Sequence, residues 1–240
     1  MHPTNDLAAK TLRVHHLLND LYGIQAIYGR TDPMHELIST ILSHRTTHAN
    51  EVTAYRTLRE RFPTWEVVRD APLPGLIDAI KTANYPEVKA PYIQNLLRQL
   101  IRETGAANID FLANLTTEEA MKWLTDLPGI GLKTATLLLL FNFKKPVLPV
   151  DTHVHRVTQR LGLIGPKVSA EKAHGILLAY LPQDATVLFN FHKHFYWHGQ
   201  RVCTWYYPKC NECILQKQCD FFRAGGKMAL SSTPARAKAK

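Results

Sequence analysis

All four cysteines of the chain fall in one short stretch, Cys203-x6-Cys210-x2-Cys213-x5-Cys219. Four thiolates held together bind a soft metal. Zinc ribbons usually clasp their ion with two Cys-x2-Cys knuckles a dozen or more residues apart. Here one Cys-x2-Cys has a single cysteine on each side, a compact wrap that suits a four-iron cluster contacted at four corners. Zinc stays open as the other candidate. His192, His194 and His198 lie just upstream and are rival ligands by type. Their expected place is a helix surface, facing solvent or phosphate.

Leu127-Pro-Gly-Ile-Gly-Leu-Lys-Thr-Ala135 is the second set. Gly129 and Gly131 permit left-handed backbone angles and the close approach of another molecule. The helix that follows then keeps its free N–H groups and positive end outward, an anion site to which a phosphodiester is suited. Lys133 lies in the first turn of that helix. That helix is expected to be buried, so desolvation and the helix end both lower the lysine pKa and make it a nucleophile able to form a Schiff base. Otherwise it holds a phosphate. The third set is Pro149-Val-Asp-Thr-His-Val-His-Arg156. Asp151 can cap the helix whose apolar face is Val154, Val157 and Leu161. It can equally serve as a base and electrostatic partner to Lys133. A metal-hydrolase reading of Asp151, His153 and His155 needs strand ends, and no strand is readable.

The elements that must carry these residues are helices. Asp32-Pro33 is an N-cap with a first-turn proline, followed by Leu37, Ile38, Ile41 and Leu42 at helical spacing. Val52, Tyr55, Leu58 and Phe62 mark a second helix before Pro63, and Leu76, Ile77 and Ile80 a short third. Pro86 opens a longer one that Gly105 ends. Thr116 to Glu119 forms a capping box ahead of Met121, Trp123 and Leu124. The run to Phe141 is apolar all round, as in a central helix. Two more helices are expected over roughly 169–181 and 184–199. The fold class is all-α.

Composition sets limits on this picture. The 240 residues, 45% hydrophobic and 20% charged, suit an ordinary globular protein. No apolar run approaches the roughly 18 residues of a membrane span. The first residues lack the order of an export signal, so a reducing, cytoplasmic setting and unpaired cysteines are expected. The net charge of +9 points to a polyanionic partner. However, Arg223, Lys227, Arg236, Lys238 and Lys240 supply five of those charges, and residues 225–240 are expected to be a disordered basic tail.

In order and spacing, the three sets together resemble the endonuclease III family of DNA glycosylases, over most of residues 5–222. The resemblance implies two helical domains flanking a DNA-binding cleft: a six-helix barrel with the helix-hairpin-helix at 31–144, and an iron–sulfur domain made of 1–30 and 145–224. It implies that Lys133 displaces the base at C1′ and forms an imine, and that Asp151 stabilises the developing sugar cation. Cys203, Cys210, Cys213 and Cys219 match the ligands of a [4Fe-4S] cluster. Gly129, Ile130, Gly131, Thr134 and His153 match DNA-contacting positions. The implied activity removes oxidised or ring-saturated pyrimidines from double-stranded damaged DNA and nicks the abasic site by β-elimination. The implied enzyme is a monomer without a membrane partner, cytoplasmic, and nucleoid-associated if bacterial. The alternative is a non-catalytic helix-hairpin-helix DNA-binding module with a structural zinc.

The chain departs from the family in one segment. Where the family usually reads Leu-Ser-Ala-Gln-x-Thr-Asp, this sequence reads Leu42-Ser-His-Arg-Thr-Thr-His48. Arg45 falls at the glutamine that fills the gap left by a flipped base, with His44 before it and His48 at the acidic position. Tyr85 falls where a second wedge, commonly leucine, enters the duplex. Altered contacts to the opposite base are expected, since a guanidinium both stacks and donates.

Overall fold

The computed structural model describes residues 3–27, 32–127 and 129–226. Pro128 of the hairpin, the expected domain boundary near residue 31 and the tail from residue 227 lie outside the described residues. Internal contacts divide the chain into two compact units, Tyr28–Phe143 and Met1–Ile27 with Lys144–Lys240. Among the described residues every regular element is a helix or a 3-10 turn.

The first unit is built from α2 (Pro33–Ser43), α3 (His48–Arg61), α4 (Trp65–Asp70), α5 (Leu73–Ala79), α6 (Pro86–Thr104), α7 (Thr117–Asp126) and α8 (Leu132–Phe141). Local chemistry starts and stops them. Asp32 accepts from Met34 N at 2.9 Å ahead of Pro33. Thr116 and Glu119 satisfy each other's backbone N–H groups as a capping box. α6 ends where Gly105 N donates to Ile101 O at 2.8 Å. Leu37, Ile38 and Leu42 of α2 and Leu138, Leu139 and Leu140 of α8 are buried, and these two helices pack together within the unit. α4 is an addition to the expected helices. Its six residues are under two turns, too few to show a period, and it forms because Thr64 caps it and Trp65 and Val68 are buried.

The second unit holds α1 (Pro3–Tyr22), α9 (Thr152–Leu161), α10 (Ala170–Leu178), α11 (Ala185–Arg201) and α12 (Asp220–Arg223). Short 3-10 turns at Cys210–Glu212 and Gln216–Gln218 precede α12. α9 is its hub and packs against α10, α11 and α12. All of residues 154–161 are buried, Arg156 and Arg160 included. Those guanidiniums are tolerated inside because backbone carbonyls accept their hydrogen bonds: Gly199 O and Cys203 O for Arg156, Thr204 O and Trp205 O for Arg160.

The histidines of α11 require a correction. His192, His194 and His198 are all buried rather than surface-facing. α11 lies between α1 and α9, so most of its circumference is covered. His192 Nδ1 pairs with Pro149 O at 3.0 Å, and His198 Nε2 lies 3.5 Å from Cys213 Sγ.

Candidate active site

The hairpin between α7 and α8 is short and glycine-dependent. Gly129 is at φ +79, a conformation that favours glycine, and a Cβ there would lie 3.2 Å from the Tyr92 ring. Ile130 N donates to Leu127 O at 3.1 Å to close the turn, and the Ile130 side chain is buried. Gly131 is the N-cap of α8 and supplies no side-chain bond to the first amides of this helix. Gly129 and Gly131 are exposed, whereas Thr134 is buried; the side chains of Ile130 and Thr134 face inward and leave backbone for a ligand to meet.

Lys133 is exposed in the first turn of α8. That corrects the expectation of a desolvated lysine. α8 buries Thr134, Ala135 and Thr136 and its later leucines, and position 133 falls on the open side. The charge of Lys133 reaches His44. Partial desolvation of the His44 ring, then the positive charges of Lys133 and Lys89, hold its pKa below the ordinary 6.5.

His44, Arg45, Tyr85 and Gly129 come together around one open cleft of about 680 Å³, lined also by Ile41, Val88, Lys89 and Tyr92. Arg45 and Tyr85 are both left-handed, at φ 55 and 59. Each such residue costs about 1–2 kcal/mol for a side chain other than glycine. The Arg45 Cζ lies 6.0 Å from the Tyr85 ring centroid, and Tyr85 is half exposed. His48 is exposed, with Nδ1 3.3 Å from the Glu51 carboxylate one turn on.

Asp151 belongs to the other unit and is the N-cap of α9. Its Oδ1 accepts from His153 N at 2.9 Å and Val154 N at 2.8 Å. One oxygen thus does the capping, and among the described residues Oδ2 takes no hydrogen bond. His153 is half-buried, edge-on to Tyr196, and its Nδ1 accepts from Arg156 Nη2 at 3.1 Å. Burial pulls its pKa down against the opposing pull of Asp151, and Arg156 pushes the same way as burial. Gly199 of α11 faces it so closely that a Cβ would lie 2.8 Å from His153 Cβ.

The four cysteines line a single small cavity, with Val157, Arg160, His198, Leu215 and Phe221 in its wall. Arg160 Nη1 donates to Cys203 Sγ at 3.3 Å, and Leu215 N to Cys213 Sγ at 3.4 Å. Burial raises the pKa of Cys213 to about 11 and also raises those of Cys210 and Cys219. These are neutral thiols that would release protons on binding a metal group. Among the described residues no three His, Cys, Asp or Glu side chains are grouped to hold a metal ion. Four thiols lining one cavity, with a buried guanidinium and an amide donating to sulfur, fit a thiolate-bound metal group.

Comparison with known proteins gives the family. The family described as "HhH-GPD superfamily base excision DNA repair protein" matches residues 38–183. The chain belongs to this superfamily. It is 38% identical over 200 residues to the endonuclease III of Thermotoga maritima, covering 83% of this chain and 88% of that protein. With the endonuclease III of Sulfolobus acidocaldarius it shares 29% over 189 residues, 78% of this chain and 81% of the other. Its structure is similar to that of endonuclease III in a non-covalent DNA complex, with a TM-score of 0.77 over 91% of this chain and 97% of that one; at 23% identity this likeness speaks for the fold. The all-α HhH-GPD fold is thereby established, and no described helix is long and apolar enough to cross a membrane.

Proposed function

We propose that this HhH-GPD protein is a bifunctional base excision DNA glycosylase and abasic-site lyase acting on oxidised or ring-saturated pyrimidines in duplex DNA. The observation that carries this reading is the place of Lys133: it stands at the hairpin position that the endonuclease III resemblance assigns to the imine-forming lysine, in a chain of that superfamily, and its exposure leaves the amine open to a sugar without burial to activate it. The helix end receives the phosphodiester and the lysine meets the sugar beside it. Residues 31–144 form the barrel domain with the hairpin, and residues 1–30 with 145–224 the iron–sulfur domain. The protein acts as a monomer in the cytoplasm, or on the nucleoid if the source is bacterial.

In this reading the Lys133 Nζ attacks C1′ as the bond to the base breaks, and the base leaves with a proton. Ring opening gives an imine between Nζ and C1′. Loss of a C2′ proton then expels the 3′ phosphate, and water releases the lysine. Asp151 supports the developing positive charge on the sugar through the carboxylate oxygen that capping does not use. The damaged base must first leave the stack, and Arg45 enters the gap beside the orphaned partner base, with Tyr85 as a second wedge. Cys203, Cys210, Cys213 and Cys219 hold a [4Fe-4S] cluster, which when bound serves as a cross-link of the 203–219 loop. A zinc-bearing DNA-binding module without chemistry needs neither Lys133 nor Asp151.

A duplex carrying one ring-saturated pyrimidine tests the activity. Release of the free base together with a nick on its 3′ side is expected. Base release without a nick would make the enzyme monofunctional, and neither product would remove the glycosylase reading.

A further inference from the structure

We infer that Lys89, assisted by Asn84, is a positioning residue that fixes Arg45 and Tyr85 as one rigid reading pair and thereby sets selectivity for the base opposite the lesion. This rests on the reading of Arg45 as the residue that meets the orphaned base. Lys89 is 6% exposed. Its ammonium has three protons, and each has an acceptor: Leu42 O at 2.7 Å, His44 O at 2.8 Å and Thr46 Oγ1 at 3.0 Å. Among the described residues it has no carboxylate partner. An apolar residue would fill this place in the core without the cost of burying a charge, so packing alone does not account for a lysine.

The three acceptors bracket Arg45. Two precede it at the end of α2, and one follows it. Asn84 completes the clamp, with Nδ2 donating to the Arg45 carbonyl and its N–H to Thr46 Oγ1 at 3.1 Å. The peptide on each side of Arg45 is therefore held, which is what a left-handed non-glycine residue requires if it is to persist. Tyr85, the other left-handed residue, sits between Asn84 and Lys89 in sequence and is the N-cap of α6. The end of α2 and the start of α6 are stapled by the same hydrogen bonds. The backbone that carries the guanidinium and the phenol is set before DNA arrives, so only side-chain ordering remains to be lost on binding.

The experiment measures affinity of the full chain for a duplex with one tetrahydrofuran abasic analogue opposite each of the four bases. Wild type, Arg45→Gln, Lys89→Met, Asn84→Ala and the double variant Arg45→Gln/Lys89→Met are compared. A guanidinium reading a base edge gives a preference of roughly 5- to 150-fold between opposite bases. Arg45→Gln is expected to flatten it, Lys89→Met to flatten it as far, and the double variant to add nothing further. Asn84→Ala removes a single exposed clamp member and is expected to flatten it partly, which keeps the test sound if Lys89→Met does not fold. If Arg45→Gln flattens the preference while Lys89→Met or Asn84→Ala only lowers Tm, the inference falls and the Arg45 reading stands. If Arg45→Gln leaves the preference intact, or wild type has none, the Arg45 reading itself falls. Additive losses in the double variant would also overturn a role exerted through Arg45.

Discussion

The His44 imidazole lies within electrostatic reach of the Lys133 ammonium, and that charge helps to hold the His44 pKa below 6.5. One residue of the loop after α2 and one residue of the hairpin helix are thus coupled in the same unit. At neutral pH the histidine is neutral, which spares the site a further positive charge beside the lysine.

Removing the lysine charge should release this coupling. In Lys133→Gln the His44 pKa is expected to rise toward 6.5, though not fully, because desolvation is the larger cause and Lys89 remains. An NMR titration of the His44 ring in both proteins reads it. An unchanged or lower pKa in the variant would mean that the two groups do not interact.

Asp151 combines a cap and a charge, and substitution can separate them. Asp151→Asn keeps an oxygen that can accept from His153 N and Val154 N, so the melting temperature should stay close to wild type. Turnover should fall by about 10² or more through loss of the carboxylate. Asp151→Ala should lose both. Single-turnover rates of Asp151→Asn within a few-fold of wild type would reduce Asp151 to its cap.

What could be read in advance was what is local. Asp32, Thr116 with Glu119, Asp151 and Asp184 announce helix starts because a cap bonds only two or three residues ahead. Lys133, Asp151 and the cysteines are proposed on the same local ground, each lying in a short motif. Arg156, Arg160 and Lys89 were not, because a buried cation is made tolerable by carbonyls far along the chain. The histidines of α11 misled similarly: a polar side chain facing α1 or α9 reads as surface until its distant neighbours are known. Nothing in the residue types of Arg45 and Tyr85 signals a left-handed backbone, since that conformation is imposed by the clamp around them.

Buried histidines give the fold an acid limit. His15 is 3% exposed and His194 0%, and burial lowers both pKa values to about 4. Above pH 6.5 both folded and unfolded forms are neutral. Between 6.5 and 4 the unfolded chain binds more protons, so stability falls as pH falls, by roughly 2 kcal/mol per histidine on reaching pH 5. Urea unfolding at pH 7 and pH 5 measures the loss, and His15→Gln should reduce it. A flat profile across that range would contradict burial of neutral rings.

The cysteine cavity makes a separate prediction. Cys213→Ser should lose the brown colour and most bound iron, and should weaken DNA binding more than it slows chemistry on substrate already bound. Lys209 and Lys217 are exposed on this loop, and a cross-linked loop presents such charges in fixed positions. Helical circular dichroism confirms first that the variant is folded. Unchanged affinity in a folded variant would remove the loop from the DNA interface, and zinc in place of iron in wild type would overturn the cluster assignment.

The lysine imine is the centre of the account, and borohydride reduction in the presence of an abasic-site duplex tests it most directly. Wild type should be trapped as a covalent protein–DNA adduct, with the peptide containing Lys133 carrying the modification. Lys133→Gln should still shift the same duplex in a gel yet give no adduct and no nick. Full trapping of Lys133→Gln, or an adduct mapped to another residue, would contradict the assignment.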